Sequence, residues 1–311
     1  MRIAPRASRA APRRARRGGV LFRGDRVAAA IMLAPTVVGF LLFLAGPMLT
    51  GLGLTLFRWD GLSPATFAGL GNYRALLADP LVTTTLWNTV SYVVPDVALK
   101  LALGLVLAVL IDRVAIAPLR TLCRLTVFFP VIISAVAGAA IWTWLLNTDL
   151  GLVNDYLQRW TGLRIAWLDS GDMALRSLVL VDVWRSLGFY VVVFTAGLQG
   201  IGRQYYEAAA IDGASGPRQF THITLPLLSP TTFFLLIVGA INGFEFFDLS
   251  YVMTQGGPGD STRTLVYYIY DSSFHFFRLG YGATLALLLF AIIGAITAVQ
   301  FRLGRRWVFY G

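Results

Sequence analysis

Six long apolar runs, separated by polar stretches rich in glycine and proline, organise this chain. They predict helices over roughly Val27–Leu54, Leu86–Ile111, Leu125–Leu146, Ser177–Leu198, Leu227–Leu249 and Leu279–Phe301. At 1.5 Å rise per residue, each is long enough to cross about 30 Å of hydrocarbon with some tilt. The expectation is an all-α, polytopic membrane protein with six transmembrane helices. A basic, disordered cytoplasmic tail over 1–26 would precede a transmembrane domain over 27–311. The run after the tail is too long for a signal-peptide core and has no clear A-x-A cleavage site, so it is expected to remain as the first span.

Composition agrees with that pattern. Of the 311 residues 57% are hydrophobic and 14% charged, where a soluble domain carries about a quarter charged. Basic residues are unevenly placed. Seventeen fall in the tail, the second and fourth loops and the C-terminus, against seven in the other loops. The positive-inside rule therefore places both termini in the cytoplasm, and "MRIAPRASRAAPRRARRGG" reads as a topogenic tail, not a nucleic-acid arm. The predominance of Arg over Lys suggests a bacterial genome rich in GC, and hence a bacterial plasma (inner) membrane.

The same residues exclude several chemistries. The one lysine, Lys100, lies between Leu99 and Leu101, so no Gly-Lys-Ser/Thr phosphate loop exists and ATP cannot be bound that way. The single cysteine, Cys123, rules out an intrachain disulfide. The two histidines, His222 and His275, are too few and too far apart for the usual zinc or haem motifs.

Between the fourth and fifth runs lies "YYEAAAIDGASGPRQFTHITLPLLSP", Tyr205–Pro230. Glu207 to Asp212 holds good helix formers, with Glu207 expected in the first turn, where the dipole favours an acid. Gly213 ends that helix by taking a left-handed backbone. Ser215 is placed to cap a second short helix with Pro217 in its first turn. Periodicity alone leaves open whether this helix–turn–helix rests on headgroups or serves another protein.

The spacing Glu207-Ala208-Ala209, three residues, Gly213, nine residues, Ile223-Thr224-Leu225-Pro226 resembles the EAA loop of ABC-importer permeases. Further stretches are similar to the carbohydrate-uptake branch of that family, which includes the maltose and glycerol-3-phosphate permeases. They include "GLGNYRALLADP" (69–80), "VDVWRSLGFY" (181–190), "AGLQGIGRQYYEAAAIDGAS" (196–215) and "FDLSYVMTQGGPGDST" (247–262). The resemblance implies a type I importer permease fold, with 199–226 as a coupling loop. Glu207, Ala208, Ala209, Gly213, Ile223, Leu225 and Pro226 would dock on an ATPase. It further implies two ATPase subunits carrying ATP and Mg, a second homologous permease and an extracytoplasmic solute-binding protein. No cofactor is expected in this chain, and no partner beyond these and membrane lipid. The loop residues Gly256, Gly257, Pro258 and Gly259, by themselves a turn, would meet the binding protein.

Ionisable residues inside the spans need partners or water. Asp96 and Lys100 are spaced as an i,i+4 pair, and Asp182 and Arg185 as an i,i+3 pair, each readable as a self-satisfied brace or, for the second, as part of a solute path. In "INGFEFFDL", Asn242, Glu245 and Asp248 step by three on one expected helix face beside Phe244. Amides and carboxylates suit sugar hydroxyls, and aromatic rings suit the C–H faces of a sugar. The plainer alternative is that Asp248 sits at the outer interface and Glu245 braces a neighbour. The expected function is uptake of a carbohydrate or a glycerol-3-phosphate-like polyol phosphate. The rivals are an intramembrane transferase using Asp182, Glu245 or Asp248, and a secondary transporter coupled through the membrane charges.

Overall fold

The computed structural model describes residues 23–309, with side chains from Val27 onward. The expected basic tail therefore falls mostly outside the described residues. The chain divides at Gly51 into two compact units. The first unit holds most of α1 (Val27–Leu54), an apolar helix with Pro35 and a wide turn at Leu41–Ala45.

The second unit, from Leu52, opens with the antiparallel two-residue strands β1 (Phe57–Arg58) and β2 (Thr66–Phe67), Phe57 facing Phe67. Then come α2 (Gly71–Ala78), α3 (Pro80–Asp112), α4 (Ala117–Ile132), α5 (Ala135–Leu145) and α6 (Leu152–Thr161). They are followed by α7 (Gly171–Gln199), α8 (Arg203–Ile211), α9 (Gly216–Leu227), α10 (Ser229–Phe244), α11 (Leu265–Tyr270) and α12 (Leu279–Trp307).

Four helices are straight enough and apolar enough to span a membrane alone: α1, α3, α7 and α12. The other two expected spans are broken. The third, expected as one helix over Leu125–Leu146, is α4 and α5 bent by 98°. Ile133 and Ser134 both take extended backbone there, with ψ of 130° and 136°, so the helical hydrogen bonds stop. The fifth, expected over Leu227–Leu249, is bent by 60° between α9 and α10 and ends at Phe244. The second starts at Pro80, not Leu86, because the Asp79 carboxylate accepts from the Leu81 amide at 2.9 Å and Pro80 suits the first turn. The fourth begins at Gly171, six residues before the expected Ser177.

Helix α7 is the central post. It packs along α3 and α4, and α10 closes on α3 from another side. Gly188 lets α7 touch the α4 backbone: a Cβ there would come 2.6 Å from the Phe128 Cα. With no hydrophobic drive between helices in lipid, such close backbone contact is a main source of cohesion. A buried cluster with Tyr92, Val97, Leu178, Val181, Phe246 and Leu249 fills the space between α3, α7 and the segment after α10.

Candidate coupling loop and substrate cavity

Helix α8 begins at Arg203, so Glu207 lies in its second turn and not in the first as expected. Its end follows the expectation closely. Gly213 has φ +75°, the Ala214 amide reaches back to the Ala209 carbonyl at 2.8 Å, and the Gly213 amide to Ala210 at 3.1 Å. This is a Schellman closure, in which the left-handed residue lets two orphan carbonyls be satisfied. Ser215 sits at the cap position of α9 but its hydroxyl makes no capping bond, and Pro217 lies in the first turn. The Tyr206 hydroxyl and Thr224 Oγ1, 2.9 Å apart, tie α8 to α9. Tyr205, Ala208 and Ile211, three apart, leave an exposed apolar edge, with Ile211 87% exposed. Glu207, Gly213, Leu225 and Pro226 are exposed as well, and Ala209 and Ile223 partly so.

Deeper in the bundle, the two expected charge pairs form one cluster. Lys100 Nζ lies 2.7 Å from Asp96 Oδ2 and 2.7 Å from Asp182 Oδ2. Arg185 donates to Asp182 Oδ1 at 2.8 Å, and the Tyr92 hydroxyl donates to Asp182 Oδ2 at 2.8 Å. Asp96, Lys100 and Asp182 are all at least 95% buried. The expectation that each pair satisfies itself within its own helix is therefore corrected. Lys100 alone cannot fill the lone pairs of Asp96, whose Oδ1 still has no partner, and α3 lies close enough to α7 for the ammonium to bridge both. The formal charges of the four residues cancel, and neither cation is left over. A sequence signal existed for this: Asn88, Tyr92, Asp96 and Lys100 recur every four residues, a buried polar stripe on one face of α3.

Beside the cluster is a cavity of about 390 Å³. Lys100, Asp182 and Arg185 line one part, and Asn242, Glu245, Asp248 and the rings of Phe246 and Phe247 another. The three polar residues come together by a route other than the expected one. Glu245 is the C-cap of α10, and the chain leaves helical geometry before Asp248. Their side chains are exposed and form no hydrogen bond or ion pair among the described residues. Phe244 does not line the cavity: it belongs to the buried face of α10 with Gly243 and Ala240, and Phe246 stacks on Tyr92 with centroids 3.8 Å apart.

The loop Gly256–Gly259 is more than a turn. Gln255, Gly256, Gly259 and Asp260 all have positive φ, and Gly257–Pro258 is cis. Ser250 Oγ donates to the Thr262 carbonyl at 2.6 Å, and Asn88 Nδ2 to the Asp260 carbonyl at 2.6 Å. Gly256 is buried under this lacing while Pro258 and Gly259 stand exposed. Among the described residues no three His, Cys, Asp or Glu side chains cluster as metal ligands would.

A membrane-spanning helical chain with a bent fifth span, an exposed helix–Gly–helix loop before it and a self-neutralised charge cluster beside a polar cavity defines a transport subunit. Residues 100–308 match the family of binding-protein-dependent transport system inner membrane components, and the chain belongs to it. It is 37% identical to the sulfoquinovosyl glycerol transport system permease protein SmoG of Agrobacterium fabrum, over 91% of this chain and 92% of that one. It is 34% identical to the sn-glycerol-3-phosphate transport system permease protein UgpA of the same organism, over 90% and 96%. Its fold matches a chain of the bacterial alginate ABC transporter crystallised with an alginate pentasaccharide-bound periplasmic protein, with TM-score 0.81, 22% identity and coverage of 93% and 98%. The protein is thus a multi-pass permease subunit of an ABC importer with the type I fold. It is not an enzyme, and the transferase and secondary-transporter readings fall away with the family.

Proposed function

We propose that this subunit carries a carbohydrate inward through the cavity beside Asp182, and that the solute is held through hydroxyl groups. The observation that supports this is the asymmetry of the cavity wall. Both cations are engaged by Asp96 and Asp182, whereas Asn242, Glu245 and Asp248 are free to accept and donate. Charged acceptors make stronger bonds to hydroxyls than neutral ones do. Phosphate would need an unengaged guanidinium or ammonium. Within the class of carbohydrates and glycerol-3-phosphate-like polyol phosphates that the relatives' names span, the uncharged carbohydrate is favoured.

Coupling runs through α8 and α9. Glu207, Ala208, Ala209, Gly213, Ile223, Leu225 and Pro226 form the docking face for an ATPase, whose closure moves α10 through the α9 hinge. Each such loop serves one ATPase, so the complex contains two ATPases binding ATP and Mg, a second permease and a solute-binding protein received at Gly256–Gly259. The basic loops put both termini in the cytoplasm. The test is reconstitution of the complex in proteoliposomes with its binding protein. ATP-dependent uptake of an uncharged saccharide, weakened in Glu245→Gln, is expected. Uptake that is indifferent to ATP, or to Glu245, would overturn the reading.

A further inference from the structure

A second cavity, of about 700 Å³, is not on that path. It opens where β1 and β2, the start of α3 and the start of α12 meet, on the side opposite to the α8–α9 loop by the alternation of spans. Arg58, Arg278, Asp60, Asp79, Tyr268 and Tyr281 line it.

Nearly every polar group in this wall has a partner. Asn72 Nδ2 donates to the Thr55 and Phe57 carbonyls at 2.9 and 2.8 Å, and Trp59 Nε1 to the Ser63 carbonyl at 2.9 Å. Asp60 accepts from the amides of Leu62 and Ser63 and from the Ser63 hydroxyl within its own turn. Asp79 Oδ2 accepts from both the Tyr268 and the Tyr281 hydroxyls, and Oδ1 from the Leu81 amide. Both carboxylates are therefore occupied by donors other than arginine.

The two guanidiniums are the exception. Neither Arg58 nor Arg278 has a side-chain hydrogen bond or ion pair among the described residues. Arg278 lies over the Phe276 and Tyr281 rings, 5.4 and 5.5 Å from their centroids, and helps hold the Asp79 carboxyl down without bonding to it. Each guanidinium carries five N–H donors in a planar fork that suits an oxyanion. Two such forks on one concave wall call for a group with several anionic oxygens.

The surroundings select which anion. Arg278 is the N-cap of α12 and Asp79 that of α3, so the cavity sits at the ends of two apolar spans, at headgroup depth. Trp59, Tyr268, Tyr281 and Phe277 line it, Phe277 more than half exposed, and Phe276, also more than half exposed, lies under Arg278. Tryptophan and tyrosine at a span end are the mark of a membrane interface, where arginine meets lipid phosphate. We propose that this cavity binds the phosphate of a phospholipid headgroup between Arg58 and Arg278, with the acyl chains lying along α3 and α12. The site is independent of the transported solute.

The test uses the full chain, purified from membranes with its copurifying subunits. Bound phospholipid per chain is counted after extraction, for the native protein, for Arg58→Gln/Arg278→Gln and for Arg58→Lys/Arg278→Lys. In parallel, thermal unfolding is followed with added phosphatidylglycerol, phosphatidylethanolamine or inorganic phosphate. The native protein is expected to retain about one phospholipid per chain that the double Gln variant loses. Added phospholipid should raise the unfolding temperature of the native protein and not of that variant, and the double Lys variant should fall between. If the double Gln variant does not assemble, Arg58→Gln alone, whose side chain makes no bond in the fold, is scored by the same count. Equal lipid retention in all variants would overturn the proposal. So would stabilisation by inorganic phosphate alone, which marks a free-phosphate site, or unchanged lipid with weakened capture of the solute-binding protein, which assigns the forks to a protein.

Discussion

The α8–α9 loop and the charged cluster of α3 and α7 are both specialised, yet they are built on opposite principles. The loop is local. Every bond that shapes it joins residues within about twenty positions, and one left-handed glycine sets its angle. The cluster is assembled across the bundle, with Lys100 and Asp182 eighty-two positions apart. Local geometry can be exposed and offered to a partner, because its backbone satisfies itself. Buried charge must be closed, because an unpaired ion in the interior is strongly destabilising. The first region should thus tolerate change structurally and fail functionally, and the second should do the reverse.

The largest expected effect is at Lys100. Replacing it by Met leaves Asp96 and the Oδ2 side of Asp182 buried without a cation, a loss of about 3–5 kcal/mol. Thermal unfolding of the purified complex reads it, and yield in the membrane should fall with it. A double-mutant cycle of Lys100→Met with Asp182→Asn should show a coupling of at least about 1 kcal/mol. Two separate intrahelical pairs would give a coupling near zero, which would break the contrast with the loop.

Gly213→Asp comes next. Forcing a side chain into φ +75° strains the backbone by about 1–2 kcal/mol, so the chain should still fold and insert. Uptake should fall to background, because the exposed face of α8 changes its angle to α9. A variant that transports normally would remove the coupling role from this loop.

A smaller change is expected for Glu245→Gln in the cavity. A hydrogen bond to a charged group contributes about 1.5–3 kcal/mol, so the apparent transport efficiency should drop roughly ten- to a hundredfold. The unfolding temperature should stay unchanged, since the Glu245 side chain makes no bond among the described residues. Asp248→Asn should act in the same direction.

The smallest effect concerns pH at the end of α3. Burial by itself would raise the Asp79 carboxyl, but hydrogen bonds from Tyr268, Tyr281 and the Leu81 amide, with the nearby charge of Arg278, outweigh it and hold it below the usual carboxylate range. Asp60 is held at about 2 by the Ser63 and Leu62 amides. A depressed carboxyl stabilises the fold above its unfolded value, near pH 4, and that contribution is lost as pH falls through the folded value. Asp79→Asn should lower stability at neutral pH, where that contribution is present, and flatten the further loss below about pH 4, measured by unfolding at stepped pH.

The same contrast explains what could be read from the amino acids alone. Helix identity and the left-handed Gly213 follow from periodicity and turn chemistry, which are properties of neighbours along the chain, whereas Asn242, Glu245 and Asp248 meet although the helix that was to align them ends at Phe244. The break at Ile133–Ser134 was hidden because apolar composition continues on both sides of it, and the end of α10 at Phe244 because Phe246, Phe247 and Leu249 carry the apolar run past Glu245 and Asp248. Lys100 shows the limit most plainly. Its spacing to Asp96 was visible, and the stripe it makes with Asn88 and Tyr92 could have been, but the choice of Asp182 depends on how α3 lies against α7. The pairing of Asp79 with Tyr268 and Tyr281, nearly two hundred positions away, left no trace in the pattern at all.

The account stands most directly on the specificity of uptake. The complex containing this chain, with its binding protein, would be reconstituted in proteoliposomes loaded with ATP and Mg. Labelled uncharged oligosaccharides would be offered beside labelled glycerol-3-phosphate. Nucleotide-dependent uptake of an uncharged saccharide, with glycerol-3-phosphate neither transported nor competing, is the expected result. Transport of glycerol-3-phosphate at a comparable rate would show that the cavity offers a cation after all, and would contradict the self-neutralised cluster of Asp96, Lys100, Asp182 and Arg185.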